Sequence, residues 1–250
     1  MARHMRLIKL KRVNKFSVEK VKGMRLALVP AFNEERTIEK VISKLKKLGF
    51  EVIVVDDGST DKTFELAKKA GSIVLRHEEN KGKGLALKTG FEYILREFPT
   101  ASSVIVIDAD LQYSPDDAIK ILKPIEEKKA DFVMGCRNWK EIPFRHKLGN
   151  FVWRTLFNLF FKTNLKDTNC GIIALSRETI KKVKKAIHGG YIIENAILAE
   201  VVKNKLRIEQ VPVEVHYRSK SGLLRGIRVV LGISIFIIIE GLKYRLGKRY

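Results

Sequence analysis

The amino-acid sequence predicts an α/β fold in which helices flank an open, mostly parallel β-sheet. Short apolar runs rich in Val and Ile alternate with amphipathic segments between Leu26 and Met134. The runs are continuously apolar, which is typical of parallel strands buried on both faces. Several runs end in acidic residues, and ligands of such sheets bind outside the carboxyl ends of the strands.

The first strands and helices follow in order along the chain. Leu26–Val29 and Val52–Val55 are predicted strands because they are short and rich in β-branched residues. Asn33–Leu48 is a predicted helix because its apolar residues recur three and four positions apart. Asp61–Ala70 is the predicted helix after the second strand.

The alternation continues toward the middle of the chain. Further strands are predicted at Ile73–Leu75, Val104–Ile107 and Phe132–Met134. A glycine-rich loop at His77–Gly84 leads into a helix that ends near Phe98. Ser114 and Pro115 then begin a helix that runs to about Lys128, with Ser at the cap and Pro in the first position.

The strand Val104–Ile107 runs directly into Asp108, Asp110 and Gln112. A carboxylate is expensive to bury without a partner, and a hard divalent cation with oxygen ligands is a natural partner. A turn whose carboxylates cap the following helix is the alternative. Both interpretations stay open on this motif alone.

Acidic residues follow two other predicted strands as well. The first strand continues into Pro30–Glu34, and the second continues into Asp56 and Asp57. Carboxyl ends of parallel strands meet at one edge of a sheet, so these groups converge with Asp108 and Asp110. Their mutual repulsion requires cations or hydrogen-bond donors. Capping alone does not explain this convergence, and the sequence therefore predicts a ligand or metal site at this edge.

The loop Asn80–Gly84 precedes a predicted helix, where backbone N–H groups and lysine side chains can meet a phosphate. It is not a Walker loop, because no Gly-Lys-Ser/Thr sequence ends it. A solvated basic turn is the alternative.

The chain is strongly basic, with 49 Lys and Arg against 28 Asp and Glu and a net charge of +21. This surplus indicates a polyanionic partner such as a nucleic acid, an anionic membrane or a phosphorylated substrate. Cys136 and Cys170 lack metal-type or redox spacing, which favours a reduced, cytosolic compartment. The histidines form no His-x-x-x-His pair, so no zinc site is expected, and the N-terminus has no signal-peptide pattern.

A series of motifs in this order resembles glycosyltransferase family 2, nearest to its dolichyl-phosphate mannose and glucose synthases. The motifs are Pro30–Glu35, Val55–Asp61, Asn80–Gly84, Asp108–Gln112, Gly135–Arg137, Asp167–Gly171 and Tyr217–Lys220. The resemblance covers about residues 24–222 and implies the nucleotide-sugar-binding fold called GT-A.

The resemblance implies a donor site with a divalent cation, Mg²⁺ or Mn²⁺. The residues implied for the nucleotide sugar are Pro30, Phe32, Glu34, Asp57, Lys83, Asp108 and Asp110. Among these, Asp57 would hold the base or ribose. Asp108, Asp110 and Gln112 would coordinate the cation on the donor diphosphate, with Gln112 as the weaker ligand. A bound cation stabilises the charge on the leaving diphosphate.

Basic residues in the second half are implied for the acceptor. The candidates for a lipid phosphate are Arg137, Arg145, Arg218 and Lys220, because basic groups can grip a phosphate. Arg137 and Arg218, with Asp110, are the candidate catalytic residues, whereas a solvated charge is the stronger interpretation of Arg145. Glu194 stands where other family members can place a base for a hydroxyl acceptor, or it orients a basic residue. Asp167 is expected to be a positioning carboxylate.

The implied function is metal-dependent, inverting transfer of mannose or glucose from GDP-mannose or UDP-glucose to dolichyl or another polyprenyl phosphate. The first alternative is a family 2 transferase with a hydroxyl acceptor, such as a glycan or a small molecule. A basic nucleic-acid-binding module is the remote alternative. It would explain the charge but not the acidic strand ends, so nucleic acid is not an expected partner.

Three segments are predicted: a basic arm at residues 1–23, a GT-A domain at 24–222 and a basic-flanked apolar helix at 223–250. The uncharged run Val229–Ile239 would rise about 16 Å, roughly half the hydrocarbon core of a bilayer. An interfacial helix is therefore expected, and a buried core or homo-oligomer helix is the alternative. The expected location is peripheral, on the cytoplasmic face of a membrane.

Overall fold

The computed structural model describes residues 24–139, 142, 144–187, 192–217 and 223–247. Its strands are β1 (Arg25–Ala31), β2 (Phe50–Asp56), β3 (Ile73–Arg76), β4 (Ser103–Val106), β5 (Phe132–Arg137), β6 (Ile173–Ser176) and β7 (Ile208–Val213). Its α-helices are α1 (Ile38–Lys47), α2 (Thr63–Lys69), α3 (Lys83–Glu97), α4 (Ala118–Glu126), α5 (Phe144–Phe161), α6 (Arg177–Val183), α7 (Ile193–Lys203) and α8 (Leu223–Arg245).

The strands form one seven-stranded sheet in the order β3-β2-β1-β4-β6-β5-β7. Strand β6 is antiparallel to its neighbours β4 and β5, and the other neighbouring strands are parallel. The predicted α/β fold with a mostly parallel sheet is therefore confirmed. The chain builds outward from β1 to β3 and then returns to the other side of β1 with β4, which opens a crevice between their carboxyl ends.

The sheet is the centre of the hydrophobic core, because its central strands carry apolar side chains on both faces. Leu26–Val29, Val52–Val55 and Val104–Val106 are almost completely buried. Helix α3 approaches β1 closely at Gly90, where a Cβ atom would collide with the side chain of Leu28.

The predicted helices begin and end slightly differently in the structure. Helix α1 begins at Ile38 rather than Asn33, because Asn33 adopts a left-handed conformation (φ 55°) and accepts a hydrogen bond from Thr60 N. Before α4, Pro115–Asp117 forms a 3-10 turn, and the Ser114 hydroxyl accepts a hydrogen bond from Asp116 N, as expected of a cap.

Helices α5 and α8 pack against each other at the C-terminal side of the fold. Trp153 Nε1 donates to the carbonyl oxygen of Val230 (3.2 Å), and the rings of Phe161 and Tyr244 stack 5.5 Å apart. Lys203 on α7 forms an ion pair with Glu240 on α8 (2.6 Å). Helix α8 includes the predicted Val229–Ile239 run, and in the described ranges no helix is long and apolar enough to cross a membrane.

Residues 1–23 lie outside the described residues, as do Arg218 and Lys220. Arg145 lies on α5, and only its backbone is described. The division into an arm, a GT-A domain and a C-terminal helix stays a prediction.

Candidate active site

The carboxyl ends of β1, β2 and β4 lie side by side and form the predicted acidic edge. Ala31 at the end of β1 pairs with Asp56 at the end of β2. On the other side of β1, Leu28 pairs with Val106, and the carbonyl oxygen of Leu28 also accepts a hydrogen bond from Ile107 N. Asp108 and Asp110 follow directly from this point.

A lysine bridges two carboxylates at the centre of this edge. Lys83 Nζ lies 2.6 Å from Asp108 Oδ1 and 2.7 Å from Glu194 Oε1, and all three side chains are partly buried. Lys83 is the first residue of α3, Asp108 follows β4, and Glu194 lies in the first turn of α7. The structure thus joins two sequence-predicted site residues from the first half of the chain to the candidate base from the second half.

The carboxylates at this edge are close enough to affect one another's protonation. Desolvation raises the pKa of Asp108 to about 6, with Lys83 opposing the shift and Asp110 and Glu194 adding to it. Desolvation also raises the pKa of Glu34, and the charges of Asp110 and Asp108 contribute. Burial lowers the pKa of Lys83, but its two carboxylate partners outweigh this effect and hold it above the ordinary lysine value.

The carboxylates of Asp108 and Asp110 offer the oxygen ligands that a hard divalent cation prefers. Asp110 Oδ1 accepts a hydrogen bond from Gln112 N (2.9 Å) across Leu111, which has a φ of 58°. Within the described part of the chain, no group of three or more His, Cys, Asp or Glu side chains is arranged to hold a metal. One or two carboxylates together with substrate phosphates are nevertheless the usual ligands of Mg²⁺.

Gly171 lies so close to the Asp108 side chain that no larger residue fits at this position. A Cβ atom on Gly171 would collide with Asp108 Oδ2 and would lie 2.9 Å from the ring of Tyr113. The glycine in the Asp167–Gly171 motif is therefore required for the close approach of this loop to Asp108.

Asp57 holds the loop Asn80–Gly84 in place. Its carboxylate accepts hydrogen bonds from the backbone N–H groups of Lys81 (3.0 Å) and Gly82 (2.7 Å), and it lies 2.6 Å from His77 Nδ1. Asp57 is buried, so its protein partners account for both of its oxygens. His77 was not singled out from the sequence, although its position directly after β3 on the same edge was an available signal.

The side of the site next to β1 contains an exposed aromatic ring. Pro30 is buried within β1, whereas 42% of Phe32 is exposed. Glu34 Oε2 accepts a hydrogen bond from Thr37 Oγ1 (3.0 Å), and Glu34 N donates to Thr63 Oγ1 (2.7 Å). An exposed aromatic ring such as that of Phe32 can stack on a nucleobase.

Arg137 at the end of β5 is buried in a bidentate ion pair. Its Nε lies 2.7 Å from Asp167 Oδ2, and its Nη2 lies 2.8 Å from Asp167 Oδ1 and 3.1 Å from Asn150 Oδ1. Desolvation lowers the pKa of Arg137, but Asp167 outweighs it and raises this pKa above its ordinary value. The predicted positioning carboxylate thus holds the predicted phosphate-binding arginine, whose contact with an acceptor stays a prediction.

The sequence profile described as Glycosyl transferase family 2 matches residues 27–184. The chain belongs to glycosyltransferase family 2. This confirms the family that the motifs indicated.

Two curated relatives of this glycosyltransferase are named for dolichyl-phosphate chemistry. It is 30% identical to UDP-N-acetylglucosamine–dolichyl-phosphate N-acetylglucosaminyltransferase of Methanococcus voltae, over 86% of this chain and 94% of the relative. It is 26% identical to dolichyl-phosphate beta-glucosyltransferase of Saccharomyces cerevisiae, over 88% of this chain and 75% of the relative.

A solved structure shows the same fold. Glucosyl-3-phosphoglycerate synthase from Mycobacterium tuberculosis, in complex with Mn²⁺, UDP-glucose and phosphoglyceric acid, superposes with a TM-score of 0.73 at 21% identity. The match covers 90% of this chain and 84% of that chain. The glycosyltransferase therefore has a GT-A fold.

Proposed function

We propose that this glycosyltransferase transfers a hexose from a nucleotide sugar to a polyprenyl phosphate such as dolichyl phosphate. The observation that carries the proposal is the ion pair between Glu194 and Lys83 (2.7 Å). Glu194 is the residue that would deprotonate a hydroxyl acceptor, and here its carboxylate binds an ammonium group. A phosphate acceptor is already an anion and needs no base. The names of the two dolichyl-phosphate relatives support the same acceptor.

The donor would bind at the edge formed by β1, β2 and β4. Phe32 and Pro30 would form the nucleoside wall with Glu34, and Lys83 would contact the diphosphate. Asp57 would act mainly through the loop Asn80–Gly84, because its oxygens already bind Lys81 N and Gly82 N. The predicted contact of Asp57 with the base or ribose would have to share the oxygens that already accept hydrogen bonds from Lys81 N and Gly82 N.

Asp108 and Asp110 would hold Mg²⁺ or Mn²⁺, with Gln112 as a weaker ligand. When bound, the cation supplies charge stabilisation for the departing nucleoside diphosphate. The carboxylates present the oxygen ligands that such cations prefer. Mn²⁺ in the structural neighbour supports this assignment.

The acceptor would approach from the side formed by β5, β7 and the segment after β7. His216 N donates to the carbonyl oxygen of Gln112 (2.8 Å), which ties this segment to the cation motif. This contact supports Arg218 and Lys220 as phosphate ligands. Arg137 would position this side of the site through Asp167, and Arg145 stays a candidate. Attack of a phosphate oxygen on the anomeric carbon, with departure of the nucleoside diphosphate, would invert that carbon.

The test is a transfer assay with dolichyl phosphate as the acceptor. The full chain is incubated with Mg²⁺, dolichyl phosphate and labelled GDP-mannose, UDP-glucose or UDP-N-acetylglucosamine, and label is counted in the organic phase. Glu194→Gln is expected to retain transfer within about tenfold, because no proton has to be removed. Bound donor without lipid transfer, or loss of transfer in Glu194→Gln with intact donor binding, would favour a hydroxyl acceptor.

We also propose that the enzyme attaches peripherally to a membrane, where its lipid acceptor resides. Helices α5 and α8 each expose an apolar stripe. The stripes consist of Leu148, Phe151 and Leu159 on α5 and Leu231, Ile235, Ile239 and Leu242 on α8. Ile233 and Ile237 on α8 are buried, so α8 contributes one face to the core and another to the surface.

Basic and aromatic groups accompany these stripes. The guanidinium of Arg154 lies 4.8 Å from the ring centre of Trp139 and 5.7 Å from that of Phe151. Basic side chains beside an exposed apolar stripe are typical of helices that lie in the interface of an anionic membrane. Attachment at the cytoplasmic face stays a prediction from the sequence.

A further inference from the structure

We propose that Lys83 holds the place of the divalent cation until the donor binds, and that Lys83 and the cation compete for Asp108. This inference rests on the proposed function, because it concerns the same donor site. It explains why an ammonium group lies between two carboxylates at an edge that is expected to bind a metal.

Lys83 is already in contact with an aspartate of the predicted cation motif. Lys83 Nζ lies within 2.6–2.7 Å of oxygens from Asp108 and Glu194. These are strong charge-assisted contacts, and they direct the ammonium onto an aspartate of the cation motif. An ammonium group on Asp108 Oδ1 weakens the binding of a divalent ion to the same carboxylate, because the two positive charges would lie a few ångströms apart and repel each other.

The carboxylates around Lys83 repel one another. Asp108 experiences the negative charges of Asp110 and Glu194, and Glu34 experiences those of Asp108 and Asp110. Without a positive charge, this group would be strongly repulsive in a partly buried site. Lys83 supplies that charge in the absence of the donor and its cation, and the cation would supply a larger one.

Lys83 lies at the N-terminus of α3, where a phosphate can bind. Lys83 is the first residue of a fifteen-residue helix, directly after Gly82, which has a φ of 87°. The N-terminus of a helix favours phosphate, and the flexible lysine side chain can turn toward such a group. Release from Asp108 would therefore leave the ammonium near the donor diphosphate. Lys83 would act as a positioning residue that exchanges one anionic partner for another.

This exchange predicts effects of opposite sign for Lys83→Met. Affinity for Mn²⁺ without nucleotide should rise at least about tenfold, because a competing charge is removed. Affinity for GDP or UDP at saturating Mn²⁺ should fall at least about tenfold, because the diphosphate loses a charged partner. Lys83→Arg keeps the charge and should bind Mn²⁺ as weakly as the wild type.

The experiment titrates the full chain with Mn²⁺ and measures free Mn²⁺ by electron paramagnetic resonance. Lys81→Met is the matched control, because Lys81 is exposed on the same loop and its backbone N–H contacts Asp57. The control should leave Mn²⁺ affinity unchanged. An unchanged or weaker Mn²⁺ affinity in Lys83→Met would overturn the inference.

A second measurement applies if Lys83→Met is less stable. Binding to the native state raises the melting temperature, so Mn²⁺ should raise it more in Lys83→Met than in the wild type. An equal or smaller rise would overturn the inference. If the wild type binds GDP or UDP with Mn²⁺ but Lys83→Met gains no Mn²⁺ affinity, the inference alone fails. If the wild type binds neither nucleotide, the proposed function fails.

Discussion

At the scale of single residues, the site depends on which charged groups are already paired within the protein. Arg137 is paired with Asp167, Lys83 is shared by Asp108 and Glu194, and Asp57 binds the backbone of a loop. These partners separate two roles that a motif alone does not distinguish. Lys83 lies where it can exchange partners, whereas Arg137 is held in a buried pair.

The pairing of Arg137 with Asp167 predicts a stability effect. Arg137→Met or Asp167→Asn alone should lower the free energy of unfolding by about 3–5 kcal/mol, because each leaves its partner buried without its counter-charge. The double variant should lose less than the sum of the two. Urea unfolding measures all three. Losses below about 1 kcal/mol in both single variants would contradict a structural role and favour a direct contact of Arg137 with the acceptor.

At the scale of elements, the site is built by loops that pack together through glycine. Gly58, directly after Asp57, has a φ of 74°, and a Cβ atom there would lie 2.5 Å from the carbonyl carbon of Glu79. The loop after β2 and the loop before α3 can therefore approach only if this position is glycine. That contact brings Asp57 to the backbone of Lys81 and Gly82.

Gly58→Ala should therefore weaken nucleotide binding as well as stability. Gly49→Ala is a matched control, because Gly49 also has a positive φ (83°) and a Cβ atom there would have no neighbour within 4 Å. The control should cost about 1–2 kcal/mol of stability from backbone strain and leave nucleotide affinity unchanged. Calorimetric titration with GDP or UDP and Mn²⁺ measures the difference. Equal affinity in the two variants would refute the role of this glycine in the donor site.

At the scale of the whole molecule, the net charge of +21 and the apolar stripes of α5 and α8 favour the same partner. In the proposed function, the acidic edge would hold a metal and a diphosphate, and the basic and apolar surfaces would meet an anionic bilayer. Helix α8 has 23 residues and combines a buried face with an exposed one. The buried face agrees with the core-helix interpretation of its apolar run, and the interfacial interpretation stays a prediction for the exposed face.

Membrane attachment predicts that the double variant Leu231→Glu/Ile235→Glu loses binding to anionic vesicles. The expected loss is at least about tenfold, because two inserted apolar groups are replaced by anions. Lys40→Glu on α1 is the control, since Lys40 is exposed and the substitution changes the net charge by the same amount. Co-sedimentation with vesicles that contain phosphatidylserine measures the effect. Equal losses in both proteins would show that net charge, and not the stripe on α8, governs the binding.

Local sequence was enough to predict strands β1 to β5, the convergence of acidic residues at one edge of the sheet, and the family. Apolar runs such as Val52–Val55 identify buried strands, because a strand that is buried on both faces needs apolar side chains at consecutive positions. The motifs around Asp57 and Asp108 are contiguous as well, so the family is recognisable from short stretches. The convergence of these acidic residues at one edge of the sheet was predictable for this reason, and the binding of a donor there stays a proposal.

The pairing of oppositely charged groups, in contrast, became known only from the folded chain. Lys83 and Glu194 are 111 positions apart in the chain, and Arg137 and Asp167 meet through strand order that no local pattern encodes. The reversed strand β6 and the choice of which α8 face is buried likewise depend on packing between distant segments. Charge pairing depends on distance in space. The pairing of Lys83 with Asp108 and Glu194 therefore follows from the packing of α3, β4 and α7 and not from any local pattern.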